Sequence, residues 1–301
     1  MKLGYACINL TLKRTFRTLR LATLQAQGTA YLQLLVNENM HLLADILRWN
    51  REHQIMMYRL SSELVPFGSH DTVDLLALDF PQRQEIARLA QGMRLSTHPG
   101  HFTLPSAQGA IWEKSRRDLD YHWTLTNILG IEGDIVLHGG GVYGERATTT
   151  QRIKRNLLSL PPEIFRRIRL ENDERAWSVG HLLPICEEIG VPLIVDGLHH
   201  RLNGEVPLAD LPWDRILATW HGLTPKLHYS EQDPTKRPGA HSSYVDAHAF
   251  QKFVASVHMP AYDVMLECKA KEQALLKLRE GLTSLPADGS SNFAWGEVME
   301  K

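Results

Sequence analysis

Side chains that can bind divalent metal ions recur where strand-like segments of the sequence end. The segment IRLENDERAW, residues 168–177, passes from apolar residues directly into Glu171 and further charges. Five other strand-like segments end in comparable residues, namely His98, His138, Asp196 with His199, His228 and Glu267. A single histidine in such a place is more often a hydrogen-bonded or surface residue, but parallel strands bring their carboxyl ends together. Isolated buried carboxylates and imidazoles are costly to desolvate, and divalent cations offset that cost. The pattern therefore predicts a polynuclear metal centre.

The ligand types indicate which ions and which reaction this centre would support. Imidazole and carboxylate ligands without thiolate suit Zn²⁺ or Mn²⁺. Clustered ions activate water and neutralise the charge that develops on a phosphoryl group. We therefore expect phosphoester hydrolysis, with Glu171 as a ligand that bridges two ions. Asp173 and Glu174 are expected to point elsewhere and to fix the loop, and the simpler alternative is that the whole charged run is only solvated.

Eight strand-like segments alternate with helical patterns along the chain. The strand-like segments cover residues 2–9, 55–61, 93–100, 133–140, 167–174, 191–200, 224–232 and 262–269. Helices are predicted at 108–129, 149–159, 178–189, 247–257 and 270–283, whereas 205–221 has a poorer helical pattern. An open, doubly wound sheet would carry a glycine-rich nucleotide loop after its first strand, and the sequence has none there. We therefore predict an α/β fold, a single-domain (β/α)8 TIM barrel over residues 1–283, followed by a C-terminal tail at 284–301.

Composition limits the class of protein. The chain has 301 residues and a net charge of -1, which argues against a chain-wide basic surface for nucleic acid. A local basic patch or bound cations would not register in that net charge. Cys7, Cys186 and Cys268 are too few for a disulfide framework and favour a reducing compartment. No apolar run approaches the ~20 residues of a membrane helix, and the first residues lack a signal-peptide pattern. We expect a soluble, monomeric, cytoplasmic protein of bacterial or archaeal type, without membrane contact.

Eight short words of the sequence resemble the UV damage endonuclease family, which is related to endonuclease IV. They are GYACINLTL, PFGSH, STHPG, VLHGGGVYGE, LENDER, VDGLHH, PKLHYSEQDPTKRPGAH and LECKAKEQAL, and the long word at 225–241 is highly specific. The resemblance implies a TIM barrel that holds three divalent metal ions, manganese first, with Zn²⁺, Co²⁺ or Mg²⁺ as alternatives. It also implies an endonuclease that nicks damaged double-stranded DNA immediately 5′ to UV photoproducts, with abasic sites as a further substrate. The expected ends are a 3′-hydroxyl and a 5′-phosphate, and the working protein would associate with the nucleoid.

The resemblance also assigns metal ligands residue by residue. They are His70, His98, His138, Glu171, Asp196, His199, Lys226, His228, His241 and Glu267. One ion would take His98, His138 and Glu171, a second Glu171, Asp196, His228 and Glu267, and the third His199, His241 and a carboxylated Lys226. The alternative for Lys226 is an unmodified lysine that pairs with a nearby carboxylate. Glu171 and Lys226 are assigned catalytic roles as well, whereas His70 and His241 are identified by the resemblance alone.

One departure from the family pattern concerns the residues that would enter the DNA. The family commonly has a Gln-Tyr pair after the HPG word, and this sequence has His101 and Phe102. The Phe102 ring can still stack on a base and His101 can form a hydrogen bond, although Phe102 could instead pack only within its own loop. The departure affects the range of lesions that would be recognised more than the chemistry.

Four other residues are candidates for the substrate site. Tyr5 and Asn9 match a pair on the first strand of the family and would line the lesion pocket, Tyr5 with a catalytic role. Both could equally satisfy hydrogen bonds inside a barrel. Lys236 and Arg237, in DPTKRPGAH, are candidate phosphate contacts, although charged loop residues are usually just solvated.

Two other functions fit part of these observations. A sugar isomerase or epimerase of the xylose isomerase type shares the barrel, the metals and the histidines, but would need a closed polar pocket. A catalytically silent protein that binds damaged DNA would not need a buried polynuclear centre. We therefore predict a metal-dependent DNA repair endonuclease.

Overall fold

The computed structural model describes residues 1–284 and contains the eight predicted strands. They are β1 Leu3–Ala6, β2 Met57–Arg59, β3 Arg94–Thr97, β4 Gly133–His138, β5 Ile168–Glu171, β6 Leu193–Ile194, β7 Lys226–Tyr229 and β8 Asp263–Leu266. Each lies inside the corresponding predicted segment and is shorter than it, because the polar residues that follow each apolar run belong to loops.

All eight strands belong to one parallel sheet, in the order β6-β5-β4-β3-β2-β1-β8-β7. Within it, Tyr5 on β1 pairs with Leu266 on β8, and His228 on β7 pairs with Met265 on β8. Each strand leads through one or more helices to the next strand, and this alternation is typical of a (β/α)8 barrel. The predicted fold class is confirmed.

Ten helices connect or follow the strands among the described residues. They are α1 Leu21–Glu52, α2 Arg83–Ala90, α3 Gly109–Ile128, α4 Arg146–Leu158, α5 Pro162–Phe165, α6 Val179–Ile189, α7 Gly197–Asn203, α8 Trp213–Ala218, α9 Ala247–Ala255 and α10 Lys271–Ser284. Short 3₁₀ turns lie at Leu75–Ala77 and Leu208–Asp210. The poorer pattern at 205–221 therefore corresponds to one 3₁₀ turn and the two-turn helix α8.

Local sequence signals explain where two of these helices begin and end. Helix α6 begins after Ser178, whose hydroxyl accepts a hydrogen bond from the backbone N–H of His181. It ends at Ile189 and is followed by Gly190, the C-cap, where φ is 71°. Gly28 likewise has φ 71° and divides α1 into two helical segments.

The predicted strand at 191–200 is wrong in its second half. Strand β6 ends at Ile194, and helix α7 begins at Gly197 because the Asp196 side chain accepts the backbone N–H of His199 at 2.7 Å. His199 is therefore a helical residue, although the apolar run before it indicated a strand.

By its backbone contacts the chain divides into two compact units. The C-terminal unit comprises Met1–Ala6 and the chain from Leu170 onward, and the N-terminal unit comprises Cys7–Arg169. Strands β1, β7 and β8 are buried along their whole length in the first of these. The predicted tail begins at Ser284, the last residue of α10, and its remainder, 285–301, lies outside the described residues. Within residues 1–284, no helix is both long enough and apolar enough to cross a membrane.

Candidate metal centre and DNA-contact loops

Five potential ligands of the C-terminal unit lie together at the carboxyl ends of its strands. Glu171 is the last residue of β5, His228 lies in β7, and Glu267 directly follows β8. Asp196 and His199 lie at the start of α7. Two groups have ligand atoms within 4.8 Å of one another, Glu171 with Asp196 and His199, and Glu171 with His228 and Glu267. Glu171 belongs to both groups, which is the arrangement that a bridging carboxylate requires.

His228 is buried between two carboxylates. Its Nδ1 lies 2.9 Å from Oε1 of Glu171 and 3.1 Å from Oε1 of Glu267. Burial by itself lowers the pKa of this imidazole, but the charges of Glu171 and Glu267 outweigh burial and raise the pKa to about 9. In the protein without metal, His228 therefore carries a proton that offsets part of the carboxylate charge.

Asn172, which was not predicted from the sequence, fixes the geometry between β5 and the loop after β6. Its side chain accepts the backbone N–H of Asp196 at 2.8 Å, and its own backbone oxygen lies 3.0 Å from Nδ1 of His199. Burial lowers the pKa of His199, but Asp196 and then Glu171 raise it to about 9 overall. The sequence signal that could have identified Asn172 is its place directly after the ligand Glu171. There a buried side-chain amide can continue the hydrogen bonding between neighbouring strands beyond their ends.

The donor set fits divalent cations. Among the five potential ligands of the C-terminal unit, two have a buried side-chain atom with no hydrogen-bond partner, Oδ2 of Asp196 and Nε2 of His228. Both residues are fully buried, so that water does not compensate them. Three carboxylates and two imidazoles in so small a volume form a set of hard and borderline ligands that suits Mn²⁺ or Zn²⁺.

Lys226 and Tyr5 are buried in the strands of the same unit. Lys226 is fully buried, which is rare for a lysine. It precedes His228 by two residues on β7, so that both side chains lie on the same face of that strand. Tyr5 is fully buried on β1.

His241 and the candidate phosphate contacts lie on a hairpin that follows β7. Gln232 and His241 form an antiparallel bridge, and Lys236 and Arg237 are exposed at the tip between them. The Gln232 side chain donates to the backbone oxygens of Asp233 and Arg237, at 2.8 and 3.0 Å, which braces the tip. His241 Nε2 lies 3.8 Å from Glu267 Oε2, although no group of three metal-compatible residues within the described range includes His241.

Asp173 fixes the loop after Glu171, as predicted from the sequence. Its Oδ1 accepts the backbone N–H groups of Arg175, Ala176 and Trp177. Those three bonds direct its carboxylate into its own loop.

In the N-terminal unit, two predicted ligands lie together and a third lies on another loop. The rings of His98, after β3, and His138, the last residue of β4, have centroids 5.1 Å apart. His70 lies on the loop after β2, where its Nδ1 is 2.9 Å from the hydroxyl of Thr72. Among residues 1–284 it joins no group of three metal-compatible side chains.

Asn9, the other first-strand candidate, belongs to the N-terminal unit. It follows β1 by three residues, and its side-chain oxygen accepts the backbone N–H of Leu12 at 3.1 Å. The Asn9 side chain is buried and holds the turn that leaves the strand.

Phe102 is exposed at the tip of the β3–α3 loop, residues 98–108. Phe102 is 54% exposed, and His101 beside it is also exposed. A Cβ atom at Gly100 would lie 2.5 Å from Cε1 of Phe102, so that the ring rests directly over this glycine. The ring also borders a cleft of about 610 Å³ together with Phe67 and Tyr121.

Helix α3 anchors the residues that follow Phe102. The hydroxyl of Thr103 donates to Oδ2 of Asp118 at 2.6 Å, and the backbone N–H of Leu104 donates to the hydroxyl of Ser115 at 2.9 Å. Both α3 side chains are buried.

Helix α4 anchors the next part of the β3–α3 loop. Arg152 donates to the backbone oxygen of Ser106 at 3.0 Å. Asn156 donates to the backbone oxygens of Pro105 and Ala107, at 2.8 and 2.7 Å. The loop is therefore fixed from Thr103 onward, while Phe102 projects from its fixed base.

Comparison with known proteins identifies the family. Residues 1–291 match the family described as UV-endonuclease UvdE. The chain belongs to the UvdE family. Within this family, the UV DNA damage endonuclease of Bacillus cereus (strain B4264) is 32% identical over 262 residues, which cover 83% of this chain and 82% of that protein.

Solved structures agree with this assignment of the UvdE chain. The crystal structure of SacUVDE has a TM-score of 0.83 at 30% identity and covers 94% of this chain and 98% of that chain. Endonuclease IV from Thermus thermophilus has a TM-score of 0.57 at 15% identity and covers 81% of this chain and 95% of that chain. The likeness to endonuclease IV concerns the fold alone.

Proposed function

We propose that this protein is a metal-dependent endonuclease that nicks damaged duplex DNA immediately 5′ to UV photoproducts. The observation that carries the proposal is the convergence of Glu171, Asp196, His228 and Glu267 at strand ends, the first three of them buried, in a chain of the UvdE family. Abasic sites are proposed as a second substrate. We further propose that the protein acts as a cytoplasmic monomer that associates with the nucleoid.

The proposed centre contains three ions, with Mn²⁺ as the first candidate. Glu171, Asp196, His228 and Glu267 would hold one of them, which agrees with the spare ligand atoms of Asp196 and His228. The family resemblance assigns the remaining positions. It gives a second ion to His98, His138 and Glu171, and a third to His199, His241 and carboxylated Lys226. His70 is a further metal ligand by the same resemblance, which assigns it to no particular ion.

The reaction is the hydrolysis of one phosphodiester bond. Bound metal ions activate water and stabilise the negative charge that develops on the phosphoryl oxygens. Water adds to phosphorus and the bond to the 3′ oxygen breaks, so that the products are a 3′-hydroxyl and a 5′-phosphate. Glu171, Asp196 and Glu267 would hold the ions in place.

Lys226 and Tyr5 are proposed to act at the same centre. An ammonium ion in a buried site among cations is unfavourable, whereas a carboxylated Lys226 supplies an anionic oxygen. Tyr5, fully buried on β1, would orient the substrate through its hydroxyl.

Four further residues are proposed to recognise the DNA. Phe102 would enter the helix beside the lesion and stack on an exposed base, with His101 forming a hydrogen bond. Lys236 and Arg237 would contact phosphates from the hairpin tip, because exposed cations on a braced loop can approach the backbone. Asn9 would line the lesion pocket. A lesion that already weakens base stacking lowers the cost of this distortion, so that damage is recognised as deformability.

A nicking assay tests the proposal. The metal-loaded protein is incubated with end-labelled duplexes that carry one photoproduct, one abasic site or no lesion, and the cut is mapped at single-nucleotide resolution. We expect a cut 5′ to the lesion and a 3′ end that a polymerase extends without trimming. A blocked 3′ end, or release of a base before the strand is cut, would refute the hydrolytic mechanism. Binding to lesions without any nick would instead identify a silent damage-binding protein.

A further inference from the structure

A second lysine lies beside the carboxylate that holds Lys236. Oδ2 of Asp233 is 3.4 Å from Nζ of Lys236 and 3.7 Å from Nζ of Lys269. Asp233 stands at the base of the hairpin tip, whereas Lys269 lies beyond β8, two residues after Glu267. The two lysines are far apart in sequence and are brought together by the fold. Both side chains are about half exposed, so that an anion from solvent can reach them.

Backbone bonds fix both sides of this lysine pair. Asp233 donates its backbone N–H to Ala240 at 2.7 Å, which closes the hairpin. The backbone N–H of Lys269 donates to the backbone oxygen of Ser242, the residue after His241, at 3.0 Å. The spacing between Lys269 and the hairpin is therefore set by the backbone.

The two lysines and Asp233 together carry one positive charge in excess. The Thr235 hydroxyl and backbone N–H donate to Oδ1 of Asp233, and these bonds, the hydroxyl first, lower the pKa of Asp233 to about 2. One carboxylate charge then faces two ammonium groups. Because the ammonium groups repel each other, an additional anion between or beside them would be stabilised.

We propose that Lys236 and Lys269 together bind one phosphate of the DNA backbone, with Asp233 as the group that positions them. The inference rests on the proposed function, because it identifies the ligand anion as a DNA phosphodiester. Each lysine then lies close in sequence to a proposed metal ligand. Lys269 follows Glu267 by two residues, and the hairpin tip that carries Lys236 leads to His241. The backbone of the nicked strand would be held from two segments of the chain at once.

The salt dependence of DNA binding tests this proposal. Metal-loaded protein and its variants are titrated with an undamaged fluorescent duplex between 50 and 200 mM salt, and the slope of log K against log salt is compared. Each lost phosphate contact reduces the magnitude of the slope by about 0.9. We expect this reduction for Lys269→Ala and no reduction for Lys269→Arg, which keeps the charge. Lys252→Ala is the matched control, because Lys252 is an exposed lysine on α9 of the same unit.

Two results would overturn the inference. One is a Lys269→Ala slope equal to that of the parent protein. The other is an equal reduction for Lys252→Ala, which would mean that only overall charge matters. The parent protein's nicking of lesion duplexes, measured in parallel, separates failure of this inference from failure of the proposed function. A parent that nicks, with an unchanged Lys269→Ala slope, refutes the phosphate contact alone.

Discussion

Removal of the Phe102 ring should affect lesion recognition much more than folding. Phe102 is 54% exposed, so that Phe102→Ala removes only about half of the burial of a phenylalanine residue, roughly 1 kcal/mol of folding free energy. Phe250→Ala, in contrast, empties a fully buried position and should cost about 3–5 kcal/mol. If the Phe102 ring stacks on an exposed base, its loss weakens binding to the lesion by about 1–3 kcal/mol. That range corresponds to a change in Kd of about 5- to 150-fold.

Single-turnover nicking with enzyme in excess measures this effect. The half-saturating enzyme concentration on a photoproduct duplex should rise by the stated factor for Phe102→Ala, and metal content should stay near that of the parent. Gly100→Ala is a second probe, because a Cβ there would lie 2.5 Å from the ring and would displace it without removing it. Leu158→Ala, at an exposed apolar residue of α4, serves as control.

A half-saturating concentration for Phe102→Ala equal to that of the parent would refute the stacking role of the ring. In that case the ring packs only over Gly100, and the departure from the family's Gln-Tyr pair has no consequence for recognition. A large fall in the melting temperature would also contradict the argument, since half of the ring already faces solvent.

Three further variants or conditions test other parts of the site. Glu171→Gln should abolish nicking and lower the metal content while the protein stays folded, because an amide is a poor bridge between cations; near-normal nicking with metal still bound would contradict its role. Thr103→Val removes the hydrogen bond to Asp118 and should raise the half-saturating enzyme concentration on an intact lesion duplex severalfold. The effect should be small on DNA that an unpaired bubble already opens, and Thr103→Ser should behave like the parent. Equal loss on both substrates would indicate general destabilisation. The metal-free protein should lose thermal stability as pH rises from about 6.5 to about 9. The pKa of His228 is raised from 6.5 to about 9 in the folded protein, so that its protonation stabilises the fold fully below pH 6.5, and this stabilisation is lost as pH passes through about 9. Metal-loaded protein should show a smaller loss in the same melting measurements, and an equal loss would contradict the assignment of His228.

The sequence was sufficient to predict the strands and the side chains that end them. Apolar runs bounded by polar residues correctly located β5 and β8, because a strand buried on both faces needs a nearly continuous apolar segment. The helical position of His199 was not predicted. It depends on a single capping bond from Asp196, and the apolar run before it gives no sign of where the strand stops.

Other parts of the site depend on contacts that no local pattern records. The two lysines that share Asp233 are separated by the whole of α9 and β8, and the anchoring of Thr103 depends on Asp118 in the following helix. A residue-by-residue resemblance supplied His70 and His241, because neither ends a strand. Neither belongs to a group of three metal-compatible residues within the described part of the chain, so that their assignment as ligands stays a prediction.

The buried carboxylates explain why the centre should bind cations at all. Glu171 shares one group of ligand atoms with Asp196 and another with Glu267, and the atoms of each group lie within 4.8 Å of one another. Such charges are costly to bury unless they are neutralised. In the metal-free protein, protons on His199 and His228 supply part of that neutralisation, which is why both have a pKa near 9. A protonated imidazole cannot act as a metal ligand, so that cation binding must release those protons. Metal ions and protons therefore compete for the same charge, and the affinity of the centre for metal should rise with pH until both histidines are neutral.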